Sequence, residues 1–130
     1  MSKRVLDVGN CGPDHTAICH FFATNFADVE VVQAAACDDT LSALRHSQFD
    51  LVLINRKLDE DYSDGIDVLR AIKRHPDLAD VPVMLVTNFP EHQDAAVAAG
   101  AVRGFGKLEF GEAATKDKIA AALKSRVRNS

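Results

Sequence analysis

The chain has 130 residues, the length of one domain with a continuous core, and we expect a single domain over residues 1–130. Its 47% hydrophobic and 26% charged residues are typical of a globular protein and exclude a disordered chain. The net charge of −4 argues against direct binding of nucleic acid, because clustered Lys and Arg bind phosphate backbones. The apolar stretch that ends at Gly9 is too short for a signal peptide or a membrane span.

The three cysteines, Cys11, Cys19 and Cys37, are odd in number and match no zinc-binding or CxxC spacing. This usage is typical of free thiols in a reducing compartment, so we expect a cytoplasmic protein. The histidines show no metal-ligand spacing either. We therefore expect neither a metal nor a cofactor.

Short apolar runs alternate with longer segments of helical period along the chain. The predicted strands are Arg4–Val8, Val29–Ala34, Asp50–Ile54, Val81–Val86 and Val102–Phe105. The third and fourth runs are continuously apolar, which predicts that they lie at the centre of a parallel sheet covered on both faces.

Each predicted strand is followed by a segment with helix-start signals and regularly spaced apolar side chains. The first helix begins at Pro13 and is expected to bury Ile18, Phe21, Phe22 and Phe26. The second begins near Asp38-Asp39-Thr40, whose side chains are suited to capping free N–H groups. The remaining helices are predicted at about Asp64–His75, Pro90–Ala99 and Gly111–Arg128.

Five strand–helix units predict an α/β domain with the flavodoxin-like (βα)5 doubly wound parallel sheet, strand order 2-1-3-4-5. In this architecture the functional site lies at the carboxyl ends of the strands. The loops to consider therefore begin near Gly9, Ala35, Asn55, Thr87 and Gly106.

The order and spacing of three segments carry a family resemblance. They are Phe49–Ile54 followed by Asp64–Lys73, then Val81–Thr87, and finally Ala99–Ala101 with Lys107 six residues later. In these features, over essentially its whole length, the chain resembles the CheY-like receiver domains of response regulators. The resemblance implies a regulatory protein of two-component signal transduction or a phosphorelay, and not an enzyme.

The resemblance also implies where the chemistry should be. In the family, an acidic pair after the first strand and an aspartate at the end of the third strand hold Mg²⁺, and that aspartate accepts the phosphoryl group. The corresponding residues here are Gly9 and Asn10, and Asn55. Because an amide is a poor Mg²⁺ ligand and no nucleophile, we expect a pseudo-receiver without catalytic residues that is not phosphorylated.

Thr87 and Lys107 match the two family residues that contact the phosphoryl group. Two interpretations remain open for each of them. Either they line a pocket that accepts an anion, or Thr87 binds the following turn and Lys107 pairs with a nearby carboxylate such as Asp14. By spacing from Lys107, Gly104 takes the place of the family's rotating aromatic residue, and Phe105 is expected in the core.

Three further features keep alternatives open. The loop from Asp59 to Asp64 is acidic and is either solvated or a cation site. Asp7, inside a central strand, must find hydrogen-bond partners or stay protonated. Cys11 lies above the candidate site and is either a redox sensor or an inert thiol.

The function expected from the sequence is a non-phosphorylatable module that binds a protein partner. By analogy with the family, the surface that contacts a protein partner or a second copy of this chain comprises the fourth helix, fifth strand and fifth helix. One alternative is a small-ligand or anion sensor that uses the vacated pocket. Another is a fragment of an S-adenosylmethionine-dependent methyltransferase, because Val5–Gly12 resembles the first motif of that class.

Overall fold

The computed structural model describes residues 3–125, with side chains as far as Lys124. The strands are β1 (Lys3–Val8), β2 (Val29–Ala34), β3 (Leu51–Asn55) and β4 (Val83–Val86). The helices are α1 (Gly12–Asn25), α2 (Cys37–His46), α3 (Gly65–Arg74), α4 (Pro90–Ala98) and α5 (Ala113–Ser125).

The sheet is parallel, and its strand order β2-β1-β3-β4 confirms the predicted flavodoxin-like fold. β1 pairs with both β2 and β3, with Val8 opposite Ile54 in the β1–β3 ladder. The β3–β4 ladder ends where Asn55 pairs with Val86. This register brings the carboxyl ends of β1, β3 and β4 to one edge of the sheet.

The prediction of a fifth strand at Val102–Phe105 is wrong, because the structure has no regular strand at this segment. Phe105 forms one isolated parallel bridge with Val86, and the N–H of Val102 donates to the carbonyl of Val83. Between them, the N–H of Gly104 donates to Oε1 of Gln93 at 2.8 Å and is therefore unavailable to β4. The side chain of Gln93 on α4 thus accepts the hydrogen bond that a β4 carbonyl would accept from Gly104 in a regular ladder.

Several element boundaries also differ from the prediction. β4 begins at Val83 and not at Val81, since Pro82 has no N–H to donate to a ladder. No side chain caps α2, because its N-cap residue is Ala36, and the hydroxyl of Thr40 donates to the carbonyl of that residue. The predicted end of α5 at Arg128 lies outside the described residues.

Two apolar clusters cover the two faces of the sheet. One includes Leu6 and Val8 of β1 and packs against α2, α3 and α4. The other includes Val5 of the same strand and packs against α1 and α5. Because alternate strand residues face opposite sides, Asp7 shares the α1 and α5 face with Val5. Within residues 3–125, no helix combines the length and apolar character needed to cross a bilayer.

Candidate functional site

The ends of β1, β3 and β4 gather the residues that the sequence singled out. Asn55, Thr87 and Lys107 line one open cleft of about 200 Å³. Gly9 lies beside it, with its carbonyl 3.5 Å from Nδ2 of Asn55. The predicted edge of the sheet therefore does bring these four residues together.

Gly9 has no room for a side chain. Its φ of +76° is in the left-handed region, and a Cβ there would lie 2.2 Å from Cδ2 of Leu58. Leu58 is fully buried and comes from the loop after β3, which is tied down by a hydrogen bond from the N–H of Asp59 to the carbonyl of Gly9. An apolar side chain thus occupies the space beside this turn.

Asn10 is turned towards the strand that it follows. Its Nδ2 donates to Oδ1 of Asp7 at 2.5 Å, and its backbone carbonyl accepts a hydrogen bond from Gln33 at 3.2 Å. The residue is 4% exposed, and its Oδ1 has no hydrogen-bond partner among the residues that the structure describes. The amide of Asn10 therefore stabilises the buried carboxylate of Asp7 by a hydrogen bond.

Asn55 ends β3 and is anchored to the backbone. Its Nδ2 donates to the carbonyl of Lys57 at 2.6 Å and approaches the carbonyl of Gly9 more weakly. The amide hydrogens are thereby used to fix the turn that follows β3. No nucleophilic group stands at this strand end.

The residues present do not fit a Mg²⁺ ion at this edge. Mg²⁺ prefers octahedral oxygen ligation that includes carboxylates. Gly9 offers no side chain, the Asn10 amide faces Asp7, and Asn55 presents a donor to its surroundings. Across residues 3–125, no group of three or more His, Cys, Asp or Glu side chains is arranged to hold a metal.

The acidic loop from Asp59 to Asp64 has local partners for two of its carboxylates. Asp61 accepts hydrogen bonds from the backbone N–H and the hydroxyl of Ser63, which lower the pKa of that exposed carboxyl. Asp64 pairs with Lys57 at 3.1 Å. These contacts stabilise the turn before α3.

Lys107 pairs with Asp14 on α1, one of the two alternatives expected for it. The Nζ–Oδ2 distance is 2.5 Å, and each side chain is about one-third exposed (33% and 35%). The hydrogen bond from Lys107 lowers the pKa of Asp14. The thiol of Cys11 also donates to Asp14, at 3.2 Å. The lysine charge is therefore balanced from α1 and not from β3.

Thr87 has a structural role in the turn after β4, as the second alternative for this residue supposed. Its hydroxyl accepts a hydrogen bond from the N–H of Phe89 at 3.3 Å and lies 3.4 Å from Nδ1 of His92. Since the side chain is 7% exposed, little of it faces the cleft.

The position of Gly104 is closed to an aromatic residue. A Cβ there would lie 2.2 Å from the carbonyl oxygen of Leu85. Gln93, 5% exposed, links the two segments by donating to that oxygen at 2.9 Å and accepting from Gly104. Phe105 is buried in the core as expected. Sequence reasoning missed Gln93, because a single glutamine on a helix carries no recognisable signal.

Asp7 is fully buried and has two side-chain hydrogen-bond partners, neither of which the sequence indicated. Oδ2 lies 2.6 Å from Nδ1 of His15 on α1, and Oδ1 accepts from Asn10. Burial raises the pKa of Asp7 above its ordinary value, and these hydrogen bonds oppose the increase. Only the presence of an acid inside a strand indicated that partners must exist.

Solved structures show the same fold at low sequence identity. A signal receiver domain of a DNA-binding response regulator from Colwellia psychrerythraea is 19% identical, with a TM-score of 0.78 over 95% of this chain and 99% of that one. A putative response regulator from Chloroflexus aurantiacus is 18% identical, with a TM-score of 0.81 over 95% and 99% of the two chains. The BeF3-activated receiver domain of Klebsiella pneumoniae RstA is 18% identical, with a TM-score of 0.78 over 94% and 99%.

The sequence itself identifies the family. Residues 13–108 match the model of the response regulator receiver domain, and the sequence has no significant match among curated proteins. A match over most of the chain favours this family over the methyltransferase interpretation. Receiver domains are regulatory modules of two-component signalling, and this chain belongs to the response regulator receiver domain family.

Proposed function

We propose that this receiver domain is not phosphorylated and acts as a protein-interaction module in two-component signalling. The observation that carries the proposal is the amide of Asn55 at the end of β3, whose Nδ2 donates to the carbonyl of Lys57 at 2.6 Å. Phosphoryl transfer to a receiver needs a carboxylate nucleophile at this strand end. An amide held as a hydrogen-bond donor is not nucleophilic.

The surroundings of Asn55 support the same conclusion. The first loop contributes Gly9, with Leu58 packed against it, and Asn10, whose amide faces Asp7. These residues leave the positions of the family's acidic pair without a carboxylate to hold the Mg²⁺ that would neutralise the charge of an incoming phosphoryl group. Lys107 is already paired with Asp14, so its charge is partly balanced.

The proposed partner surface comprises α4, the segment 102–105 and α5, and the partner is a protein or a second copy of this chain. Two apolar residues on this surface are exposed, Val97 at 43% and Val102 at 42%. An exposed ion pair of 2.7 Å between Arg103 and Asp94 borders them. Apolar side chains rimmed by charges are typical of protein contact surfaces.

A second candidate function is an anion sensor in the cleft beside Asn55. Arg56 and Lys57 join Lys107 in lining the cleft. Lys57 and Lys107 are paired with carboxylates, whereas Arg56 has no carboxylate within ion-pair distance among residues 3–125. A thermal-shift series with phosphate and sulfate tests this function, because a ligand selective for the folded state raises Tm.

Beryllium fluoride is a direct probe of the proposed function, since it forms a phosphoryl-like adduct only on a carboxylate with Mg²⁺ beside it. We expect the protein to show the same Tm and the same elution volume in gel filtration with and without beryllium fluoride and Mg²⁺. A change in either quantity that requires both additions would contradict the proposal.

A further inference from the structure

Three functional groups form a continuous array between α1 and β1. Sγ of Cys19 lies 3.4 Å from Nε2 of His15, and Nδ1 of the same ring lies 2.6 Å from Oδ2 of Asp7. Asp7 is fully buried, whereas Cys19 and His15 are partly exposed. The array therefore runs from the core to the surface of the domain.

The hydrogen-bond partners assign the protons in this array. An ionised Asp7 can only accept, so Nδ1 of His15 carries a hydrogen and donates to it. In the neutral ring with this tautomer, Nε2 has a free lone pair that can accept the S–H of Cys19, 3.4 Å away. A thiol, an imidazole and a buried carboxylate in this order are the components of an activated nucleophile.

We propose that Cys19 is a reactive thiol that is oxidised by small hydroperoxides, with His15 as its base and Asp7 as the positioning residue. Sulfur attacks the terminal peroxide oxygen while its proton moves to Nε2 of His15. The S–O bond forms and the O–O bond breaks, and His15 returns the proton to the departing alkoxide. The thiol is oxidised to a sulfenic acid, and the hydroperoxide is reduced to an alcohol, or to water from hydrogen peroxide.

The base matters because the resting thiol is poorly ionised. Burial, followed by the charge of Asp7, raises the pKa of Cys19. Neutral thiols attack slowly, so the proton must leave during the reaction. Lys107, which is paired with Asp14, also acts on Asp7 and lowers its pKa.

Cys37 provides a matched control within the chain. It is partly exposed like Cys19, and burial, followed by the charge of Asp38, raises its pKa as well. In the described part of the chain, no histidine nitrogen lies within hydrogen-bond distance of this sulfur. A difference in reactivity between the two thiols therefore reports on His15.

Single-cysteine variants allow the comparison to be made directly. Cys11→Ser with Cys37→Ser leaves Cys19, and Cys11→Ser with Cys19→Ser leaves Cys37. Both are treated with hydrogen peroxide at neutral pH, and the sulfenic acid is trapped with dimedone and quantified by mass spectrometry. We expect Cys19 to react at least about tenfold faster than Cys37, since general base catalysis contributes that factor or more. Equal rates would overturn the proposal.

Two variants in the Cys19 background separate base catalysis from a structural effect. We expect His15→Ala to abolish the rate advantage and added imidazole to restore part of it. Asp7→Asn should slow the reaction as well, because an amide that donates to Nδ1 leaves the hydrogen on Nε2, where it blocks proton transfer from sulfur. In the variant that keeps only Cys37, adding His15→Ala should leave the oxidation rate of Cys37 unchanged. An unchanged rate shows that the domain is still folded. An undiminished Cys19 rate in folded His15→Ala protein would contradict the proposed role of His15.

Discussion

Lys107 and Asp14 form an ion pair with an Nζ–Oδ2 distance of 2.5 Å, although 93 residues separate them in the chain. The pair joins the turn at residues 107–109 to the first turn of α1. In a phosphorylated receiver the equivalent lysine faces carboxylates at the ends of β1 and β3. Here Asp14 on α1 supplies the carboxylate that pairs with Lys107.

Replacing Asp14 by Asn should reduce stability at neutral pH by about 0.5 kcal/mol, a small value because both side chains are partly solvated. Lys107 lowers the pKa of Asp14 in the folded state, so this stabilisation is present above the unfolded-state pKa. It should disappear as the pH falls through the folded-state pKa. Urea unfolding at about pH 7 and at a series of progressively lower pH values measures how the difference changes. The control is Asp94→Asn, which removes the exposed ion pair between Asp94 and Arg103. A destabilisation by Asp14→Asn that does not diminish as the pH falls would contradict the prediction.

Replacing Gly9 by Ala should destabilise the protein by at least about 1 to 2 kcal/mol, because the φ of +76° disfavours a side chain. The contact of 2.2 Å with Leu58 adds to that cost. Gly12→Ala is the matched control, since a Cβ there meets nothing within 4 Å. Urea midpoints of the two variants give the comparison. Equal stability of both would show that the turn after β1 is not constrained as described.

Replacing Asn55 by Asp should not restore efficient phosphorylation. The change supplies a nucleophile, but no acidic residue in the β1 loop would hold Mg²⁺ against the phosphoryl oxygens. Adding Gly9→Asp should not help either unless Leu58 is also shortened, because Leu58 fills the space beside Gly9. Labelling rates with acetyl phosphate and Mg²⁺ are compared with those of a receiver that has all three acidic residues. A matching rate for Asn55→Asp alone would refute this prediction.

Replacing Gly104 by Ala should cost about 2 to 3 kcal/mol, since the Cβ would lie 2.2 Å from a backbone oxygen that cannot move independently. Placing an aromatic residue at this position should be still more destabilising. The control is Gly111→Ala, where a Cβ has open space around it. Thermal unfolding of both variants measures the effect, and a Gly104→Ala protein as stable as the control would contradict the described close approach.

Much of the fold could be predicted because its signals are local. The apolar runs of β3 and β4 and the helix-start signal at Pro13 each depend on neighbouring residues only. The reduced fifth strand could not be predicted, because it depends on one long-range hydrogen bond from Gly104 to Gln93. Local patterns do not record which helix side chain will reach a strand.

The candidate site was predictable in position but not in contacts. The spacing of Gly9, Asn55, Thr87 and Lys107 located the carboxyl edge of the sheet, and the structure brings them together there. We expected Lys107 either to line a pocket that accepts an anion or to pair with a nearby carboxylate such as Asp14. In the structure Lys107 pairs with the carboxylate of Asp14. The amide of Asn55 donates to backbone carbonyls instead. Such choices depend on side-chain directions that only the folded chain defines.

The most direct test of the proposed loss of phosphorylation is the intact mass of the unmodified sequence after incubation with acetyl phosphate and Mg²⁺. A receiver with a complete acidic site, treated in parallel, provides the positive control. Because Asn55 cannot form an acyl phosphate, we expect no gain in mass while the control is labelled. A hydroxylamine-labile gain of one phosphoryl group on this protein would contradict the account.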